Sequence, residues 1–261
     1  MSKNIEKPIV LISNDDGINA SGLLSLIDTL SNFNLEIIVI APESEQSGKS
    51  HSISIDHILR VKQLPPYKNA KMYMCTGTPS DCLKAGLHLL CKDRKPDIVL
   101  SGINHGYNFS ICTIYSGTIA AAQEGCIAGI PSIAFSLGNF NATAVDFSIA
   151  THYIQRIFTT TLNNNLPKGI YLNVNIPQTN EIKGIKVCKL AKGKFIDTFT
   201  KHLDPRSKEY YWLTESFELI DDKDDYHDFK YLQEGYITIV PIHFDITAYT
   251  EIDRLQKLYP L

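Results

Sequence analysis

The sequence lacks the patterns of several common protein classes. It has no long block of Lys and Arg, and its formal net charge is −3, which disfavours binding to the phosphates of a nucleic-acid duplex. It has no run of about 18 uncharged apolar residues, and its first residues, MSKNIEKP, include no apolar stretch of signal-peptide length. We therefore expect a soluble, cytoplasmic protein that binds neither duplexes nor membranes.

Familiar redox and nucleotide-binding motifs are also missing. The six cysteines form no CxxC pair, and several lie in apolar patterns, so we interpret them as reduced core residues. There is no GxGxxG motif. The Walker frame fails because Glu43 occupies the position five residues before Gly48 that requires glycine. A nicotinamide-dependent redox enzyme and a P-loop nucleotide-binding protein are both disfavoured.

Apolar, strand-like runs alternate with helix-periodic segments as far as about residue 176. This alternation is typical of βαβ units and predicts an α/β fold with a mostly parallel sheet flanked by helices. The chain has 261 residues, 44% of them hydrophobic, which is enough to bury one large core. We predict strands at 9–13, 35–40, 97–101, 132–136 and 170–175, helices at about 20–33, 78–91, 117–128 and 145–162, and a long loop before residue 78.

The pattern changes after about residue 176. Shorter β-like pieces occur at 185–190, 209–213 and 235–241, and a helical tail begins at about 249. We interpret the acidic run at 221–228 as a solvated loop. Exposed strands and a terminal helix often exchange between subunits, so this C-terminal β-hairpin and helix arm predicts a homo-oligomer.

Two adjacent carboxylates follow the first predicted strand. Asp15 and Asp16 come directly after the buried run and precede Gly17. Ligand sites in open α/β sheets lie beyond the carboxyl ends of the strands, and paired carboxylates there suit a hard divalent cation. The alternative is an ordinary Asp-Gly turn.

Polar segments also follow two other predicted strands. Ser47 and His51 lie in a small hydrogen-bonding loop after strand 35–40, which could contact a phosphate or a metal ion. After strand 97–101, Asn104 can offer a neutral carbonyl oxygen to a cation, and Asn108 could bind substrate. Each segment alone also fits a plain loop or turn, but their repetition at neighbouring strand ends favours one shared site.

A predicted helix start carries the last candidates. Ser116 and Thr118 flank Gly117, so their hydroxyls and free backbone N–H groups could hold a phosphate oxygen. An ordinary Ser or Thr N-cap is the alternative.

Taken together, these segments resemble the SurE family of survival-protein nucleotidases. The most diagnostic pieces are the paired aspartates, the GINHG loop and the YSGT helix start. The matching segments span nearly the whole chain and occur in the family's order and spacing: SNDDGINASG, APESEQSGKSHSIS, GTPSDC, PDIVLSGINHGYN, YSGTIAAAQEG, IPSIAFS and GYITIVPI.

The resemblance implies a Rossmann-like core with a C-terminal arm used in dimerisation. It implies a single domain over residues 1–261, with a catalytic core at about 1–176 and a dimerisation extension at about 177–261. We accordingly expect a homodimer or a tetramer. The implied activity is metal-dependent hydrolysis of nucleoside 5'-monophosphates, sometimes also of 3'-nucleotides or short polyphosphate.

The family's metal ligands correspond to Asp15, Asp16, Ser47 and Asn104. We expect one divalent ion per subunit, Mg²⁺ or Mn²⁺, and a phosphate cradle whose candidate residues are Asn108, Ser116, Gly117 and Thr118. His51 is a candidate proton donor or phosphate contact, although a lone loop histidine is more often structural.

This chain departs from the family pattern at two positions. Ser21 stands where the family often has Pro, and His105 occupies a variable position that is frequently Arg. An Arg fork binds phosphate bidentately and a neutral His does not, so substrate preference is open.

The sequence leaves the reaction route open. Water could attack with one Asp as base, or Asp15 could attack directly and form an aspartyl-phosphate, which rapid-quench trapping would detect. A non-catalytic, metal-dependent nucleotide sensor is the alternative from another class. A haloacid-dehalogenase-type phosphatase is disfavoured, because the two Asp are adjacent and not arranged as DxD.

Overall fold

The structure is a computed structural model that describes residues 6–220 and 226–260. Helices and strands largely alternate as far as Ile176, and most of the elements after it are β-strands. The strands are β1 Ile9–Ser13, β2 Glu36–Pro42, β3 Val61–Tyr67, β4 Ala70–Cys75, β5 Ile98–His105, β6 Ser132–Leu137, β7 Ile170–Ile176, β8 Ile185–Val187, β9 Gly193–Leu203, β10 Glu209–Leu219 and β11 Ile237–His243. The α-helices are α1 Ser21–Leu30, α2 Pro79–Ala85, α3 Gly117–Ile127, α4 Ala144–Ser148, α5 Thr151–Asn164, α6 Asp228–Gln233 and α7 Tyr249–Leu258.

In the described ranges, nine strands form one sheet in the order β3-β4-β2-β1-β5-β6-β7-β11-β8. The central pairs are parallel, whereas β3 with β4 and β11 with β7 are antiparallel. Strands β9 and β10 form a separate antiparallel hairpin. This architecture confirms the predicted α/β fold class, including the C-terminal hairpin. Two strands that follow residue 176, β8 and β11, join the main sheet.

The sheet is covered on both faces. Helices α1 and α5 pack their apolar sides on one face, where Leu26 and Phe158 are buried with Val10. Helices α2 and α3 cover the other face, where Leu83 and Ala121 pack near Leu11. Burial on both faces explains why β1 and β2 are continuous apolar runs.

Several predicted elements differ from those observed. The prediction of a long loop before residue 78 was wrong, because that segment contains β3 and β4. Exposed positions in β3 and the sequence Pro65-Pro66 weaken its strand pattern. The helix predicted at about 145–162 is two helices, α4 and α5, and β9 was missed because most of its side chains are exposed and show no clear alternation. Thr78 caps α2 with a capping box to Asp81, as its sequence indicates.

Asp228 fixes the base of the hairpin to the core. Its carboxylate accepts hydrogen bonds from the backbone N–H of Ser110 at 3.0 Å and of Ala191 at 2.8 Å. Asp228 is fully buried, so the interpretation of 221–228 as a solvated loop was wrong at this residue. Residues 221–225 of that run lie outside the described residues.

None of the helices in the described ranges is long and apolar enough to cross a lipid bilayer.

Helix α1 has a glycine, Gly22, at the point where it contacts the backbone of β5. A Cβ built on Gly22 would lie 2.0 Å from the backbone oxygen of Ile103, immediately before Asn104. Helix α1 can therefore approach the end of β5 only with glycine at this position.

We expect Gly22→Ala to reduce the free energy of unfolding by about 1–3 kcal/mol, because α1 or the end of β5 must move. The measurement is urea unfolding, with Ser25→Ala in the same helix as a control for the added helix propensity of alanine. Equal stability of the two variants would show that the contact at Ile103 imposes no constraint.

Candidate functional site

The candidate residues meet at the carboxyl ends of β1 and β5. From β1 the chain moves outwards through β2 and β4 and then returns to the other side of β1 as β5. The loops after these two strands therefore diverge and leave a crevice, which is the usual place for a ligand in an open α/β sheet.

Asp15 is held at the N-terminus of α3. Its side chain is buried, and it accepts a short hydrogen bond from the Thr118 hydroxyl. Burial raises the pKa of Asp15, and hydrogen bonds from the Thr118 side chain and the backbone N–H groups of Thr118 and Gly117 counteract part of that rise. The helix end thus stabilises a negative charge that burial disfavours.

Gly117 is also a packing requirement at this point. A Cβ on Gly117 would lie 2.9 Å from the Asp15 Cβ. The small residue lets the first turn of α3 reach the carboxylate.

Asp16 lies beside Asp15 in a less enclosed position. Its Oδ2 accepts a hydrogen bond of 3.2 Å from the backbone N–H of His105. Burial is the main cause that raises the pKa of Asp16 to about 7, and the charge of Asp15 adds to the rise. Without a bound cation, the Asp16 carboxyl group is therefore only partly ionised at neutral pH.

Asn104 and Ser47 lie close to the two carboxylates. The Asn104 amide donates to the Gly106 backbone oxygen at 2.9 Å, so its own oxygen is directed to the Thr118 hydroxyl, 3.5 Å away. Ser47 donates to Glu45 at 2.7 Å and lines the same cavity as Asp15 and Asn104. Glu45 in turn contributes to the raised pKa of Asp16, so this loop faces the carboxylates.

This donor set fits a hard divalent cation. Two carboxylates, an amide oxygen and a hydroxyl are all oxygen donors, the type that Mg²⁺ and Mn²⁺ prefer. In the described part of the chain, no three His, Cys, Asp or Glu side chains are grouped to hold a metal. Neutral oxygens from Asn104 and Ser47 would therefore have to complete the coordination.

Backbone contacts fix the loop that carries Ser47. The N–H of Gln46 donates to the Asp15 backbone oxygen at 2.8 Å. The Ser50 N–H donates to the Tyr115 oxygen at 3.0 Å, and its hydroxyl donates to the Ile114 oxygen at 2.5 Å. The loop after β2 is thus attached to both β1 and the segment before α3.

His51 closes this loop through a hydrogen bond to the buried carboxylate of Glu124. Its Nε2 lies 2.7 Å from Glu124 Oε1, and Lys84 Nζ lies 2.8 Å from the other oxygen of Glu124. Burial alone would raise the pKa of Glu124, but the hydrogen bonds from His51 and Lys84 outweigh it and lower that pKa. The geometry gives His51 a role in positioning the loop, and its proposed contact with phosphate stays a prediction.

Asn108 is fixed by two asparagines that sequence reasoning missed. Its backbone N–H donates to Asn175 at 2.7 Å, its backbone oxygen accepts from Asn173 at 2.7 Å, and its side-chain amide donates to Ser136 at 2.8 Å. Two asparagines at alternate positions of the otherwise apolar strand β7 are the signal that could have identified them.

The predicted phosphate cradle has other contacts in the structure. Ser116 accepts from the Ile119 N–H at 3.2 Å and is an N-cap, which was the alternative interpretation. Gly117 and Thr118 contact Asp15 as described above. Their part in binding phosphate stays a prediction, and the structure shows how they position the carboxylate.

Ser21 and His105, the two residues that depart from the family pattern, contact each other. The Ser21 hydroxyl and the Gly22 N–H both lie 3.2 Å from His105 Nε2. Because the backbone N–H can only donate, Nε2 is an acceptor and the ring proton is on Nδ1. His105 therefore connects the end of β5 to α1, and its Nε2 is already used in these two contacts.

A cavity of about 490 Å³ opens from these residues towards the hairpin. One end is lined by Asp15, Ser47, Asn104 and Asn108, and the other includes Phe195, Leu213 and Glu215 of β9 and β10. Sequence reasoning did not assign the hairpin residues to the site, because only the fold brings them to it.

Comparison with known proteins agrees with this geometry. The family model described as "Survival protein SurE" matches residues 10–197. The chain belongs to the SurE family. It is 45% identical over 259 residues to a protein of Christiangramia forsetii named "5'-nucleotidase SurE", covering 97% of this chain and 98% of that protein. A protein of the same name from Cytophaga hutchinsonii is 41% identical over 255 residues, covering 97% of each.

A solved SurE structure has the same fold. The crystal structure of the SurE protein from Aquifex aeolicus superposes with a TM-score of 0.81 at 35% identity, covering 96% of this chain and 99% of that one. The SurE fold of this chain thus extends through the C-terminal arm.

The raised pKa of Asp16 gives a stability prediction. A folded-state pKa above the ordinary value of 3.8 means that this group favours folding at low pH and that the benefit is lost as the pH rises towards 7. Replacing the carboxylate by a neutral amide removes the cost of the charge. We expect Asp16→Asn to raise the free energy of unfolding in EDTA at pH 8 by up to about 4 kcal/mol.

Urea unfolding at pH 8 and at pH 5 checks this expectation. The gain should be less than half as large at pH 5, because most of the penalty accumulates between pH 5 and the folded-state pKa of about 7. The exposed substitution Asp93→Asn is the control. A variant no more stable than wild type at pH 8 would contradict the assignment.

His51→Ala should leave Glu124 with one buried oxygen unpaired and reduce the free energy of unfolding by about 1–2 kcal/mol. Phosphate release should fall because the loop with Ser47 loosens, and His51→Gln, which can still donate to Glu124, should recover part of it. An altered limb of the pH–rate profile in the Gln variant would instead assign His51 a proton-transfer role.

Proposed function

We propose that this chain is a metal-dependent phosphomonoesterase that hydrolyses nucleoside 5'-monophosphates to nucleosides and phosphate. Its relatives named 5'-nucleotidase SurE support the activity and the substrate class. One observation carries the proposal. Asp15, at the end of β1, and the Asn104 oxygen share the Thr118 hydroxyl and line a cavity large enough for a nucleotide, and Asp16 lies next to Asp15.

Asp15, Asp16, Ser47 and Asn104 would hold one divalent cation per subunit, Mg²⁺ or Mn²⁺. When bound, the ion would supply positive charge against the phosphate oxygens and against the charge that develops as the ester bond breaks. The all-oxygen donor set and the high cost of two adjacent bare carboxylates support this assignment.

The surrounding residues have distinct roles in the proposal. Thr118 orients Asp15 through its hydroxyl, and the Asn173 and Asn175 pair orients Asn108 towards the cavity it lines. Either Asp15 or Asp16 is a candidate for the general base in attack by water, because a bound cation would lower the pKa of both carboxyl groups. Direct attack by Asp15 stays the competing route.

We also propose a homodimer, or a tetramer built from dimers, in the cytoplasm. Helix α7 buries none of its residues against the rest of the described chain and exposes Ile252, Leu255 and Leu258. An apolar face of this kind suits contact with a second copy, which light scattering would detect. The unpaired state of all six cysteines agrees with a reducing compartment.

The function is tested by phosphate release from 5'- and 3'-nucleoside monophosphates and from tripolyphosphate, each with Mg²⁺, Mn²⁺ or EDTA. We expect metal-dependent release from the 5'-nucleotides, lower rates with the other substrates, and a loss of at least about 100-fold in Asp16→Asn.

Asp93→Asn is the matched control, because it makes the same substitution at an exposed position away from the cavity. If wild type binds nucleotides in the presence of metal and releases no phosphate, the hydrolase proposal fails and the nucleotide-sensor alternative replaces it.

A further inference from the structure

The cavity has an end that phosphate chemistry does not explain. The aromatic end is lined by four aromatic residues, one leucine and one carboxylate: Tyr107, Tyr115, Phe140, Phe195, Leu213 and Glu215. Tyr115 is 48% exposed and Phe140 is 79% exposed, so these rings do not serve mainly as core. Exposed aromatic rings in a cavity provide surfaces on which a planar, apolar group can stack.

Strand alternation directs one face of the hairpin to this cavity. Side chains directly opposite in an antiparallel pair lie on the same face, and the register pairs Phe195 with Phe217 and Asp197 with Glu215. Leu213, two residues before Glu215, shares that face. Glu218 lies on the other face, where its carboxylate is 3.4 Å from Lys194 Nζ.

Aromatic contacts hold this face in place. The ring of Phe217 lies 4.9 Å from those of Phe109 and Phe229, and the Phe195 ring lies 5.8 Å from that of Tyr115. Together with the Asp228 hydrogen bonds, these contacts fix the hairpin base to the core. The wall is therefore formed before a ligand arrives.

Glu215 gives the aromatic end its polarity. It lies near Cys112, another lining residue, where burial raises the pKa of the thiol to about 11 and the negative charges of Asp228 and Glu215 add to the rise. A carboxylate here repels a second phosphate and accepts hydrogen bonds from N–H groups. The phosphate of a ligand must then lie at the opposite end, near Asp15 and Asp16.

We propose that the aromatic end of the cavity binds the nucleobase, and that Glu215 favours bases with an exocyclic amino group over uracil and thymine. The amino groups of adenine, cytosine and guanine can donate to the carboxylate. Uracil and thymine carry a carbonyl oxygen, which a carboxylate repels, where cytosine carries its amino group, so only their ring N3–H can donate to it. This inference rests on the proposed function, because it takes the ligand to be a nucleoside monophosphate.

The test compares CMP, UMP and ribose 5-phosphate as substrates of wild type, Glu215→Gln and Glu218→Gln. CMP and UMP differ on the base at C4, which carries an amino or a keto group, and at N3, which is a bare acceptor in CMP and an N–H donor in UMP. Ribose 5-phosphate has no base. Glu218→Gln is the matched control, since it makes the same substitution on the same strand but on the opposite face.

We expect wild type to prefer CMP over UMP in kcat/KM, and Glu215→Gln to reduce that ratio by about fivefold, mainly through KM. The ratio of CMP to UMP and the rate with ribose 5-phosphate should both stay unchanged in Glu218→Gln. No wild-type preference for CMP, or the same ratio in Glu215→Gln as in wild type, overturns the proposal.

Failure of the proposed function gives a different result. If wild type releases phosphate from none of these substrates and from no purine 5'-nucleotide, hydrolysis is rejected, and calorimetric binding of CMP and UMP in the presence of Mn²⁺ replaces the kinetic readout. Glu215→Gln should then reduce the ratio of the two affinities. An unchanged ratio overturns the base site independently of catalysis.

Discussion

The burial of one carboxylate directly beside a second carboxylate sets the main constraint on this structure. Asp15 is only 4% exposed, and Asp16 lies next to it, so each charge opposes the other where little water can screen them. The first turn of α3 and the Thr118 hydroxyl compensate part of this cost. The same low exposure strengthens attraction to a cation. Much of the surrounding packing, including Gly117, serves to bring these groups together.

The architecture was largely predictable because its main signal is periodic and local. Buried parallel strands such as β1 are continuous apolar runs, and α2 begins at a clear capping sequence. The hairpins were less predictable. Strands β3 and β9 are mostly exposed, so the hydrophobic pattern that identifies a strand is weak in them. Their structure depends on pairing with a partner strand, which the local sequence does not specify.

The candidate site was likewise predictable only in part. Asp15, Asp16 and Asn104 were identifiable because each follows a predicted strand, and strand ends meet at one edge of a sheet. The residues that hold them were not, because their contacts join distant parts of the chain: His51 with Glu124, and Asn108 with Asn175, for example. Glu124 is a buried acid in α3, a helix of small residues, and this pattern indicates that it has a polar partner. That this partner is His51 becomes known only from the fold.

The attachment of the hairpin separates the two ends of the cavity mechanically. The carboxylate end is built on β1, β5 and α3, at the centre of the sheet. The hairpin end is carried by β9 and β10, which make no strand pairing with that sheet in the described part of the chain. Substitutions in the hairpin can therefore accumulate without disturbing the central carboxylates. Natural variation can then change which molecules this scaffold accepts while the groups that act on them stay the same.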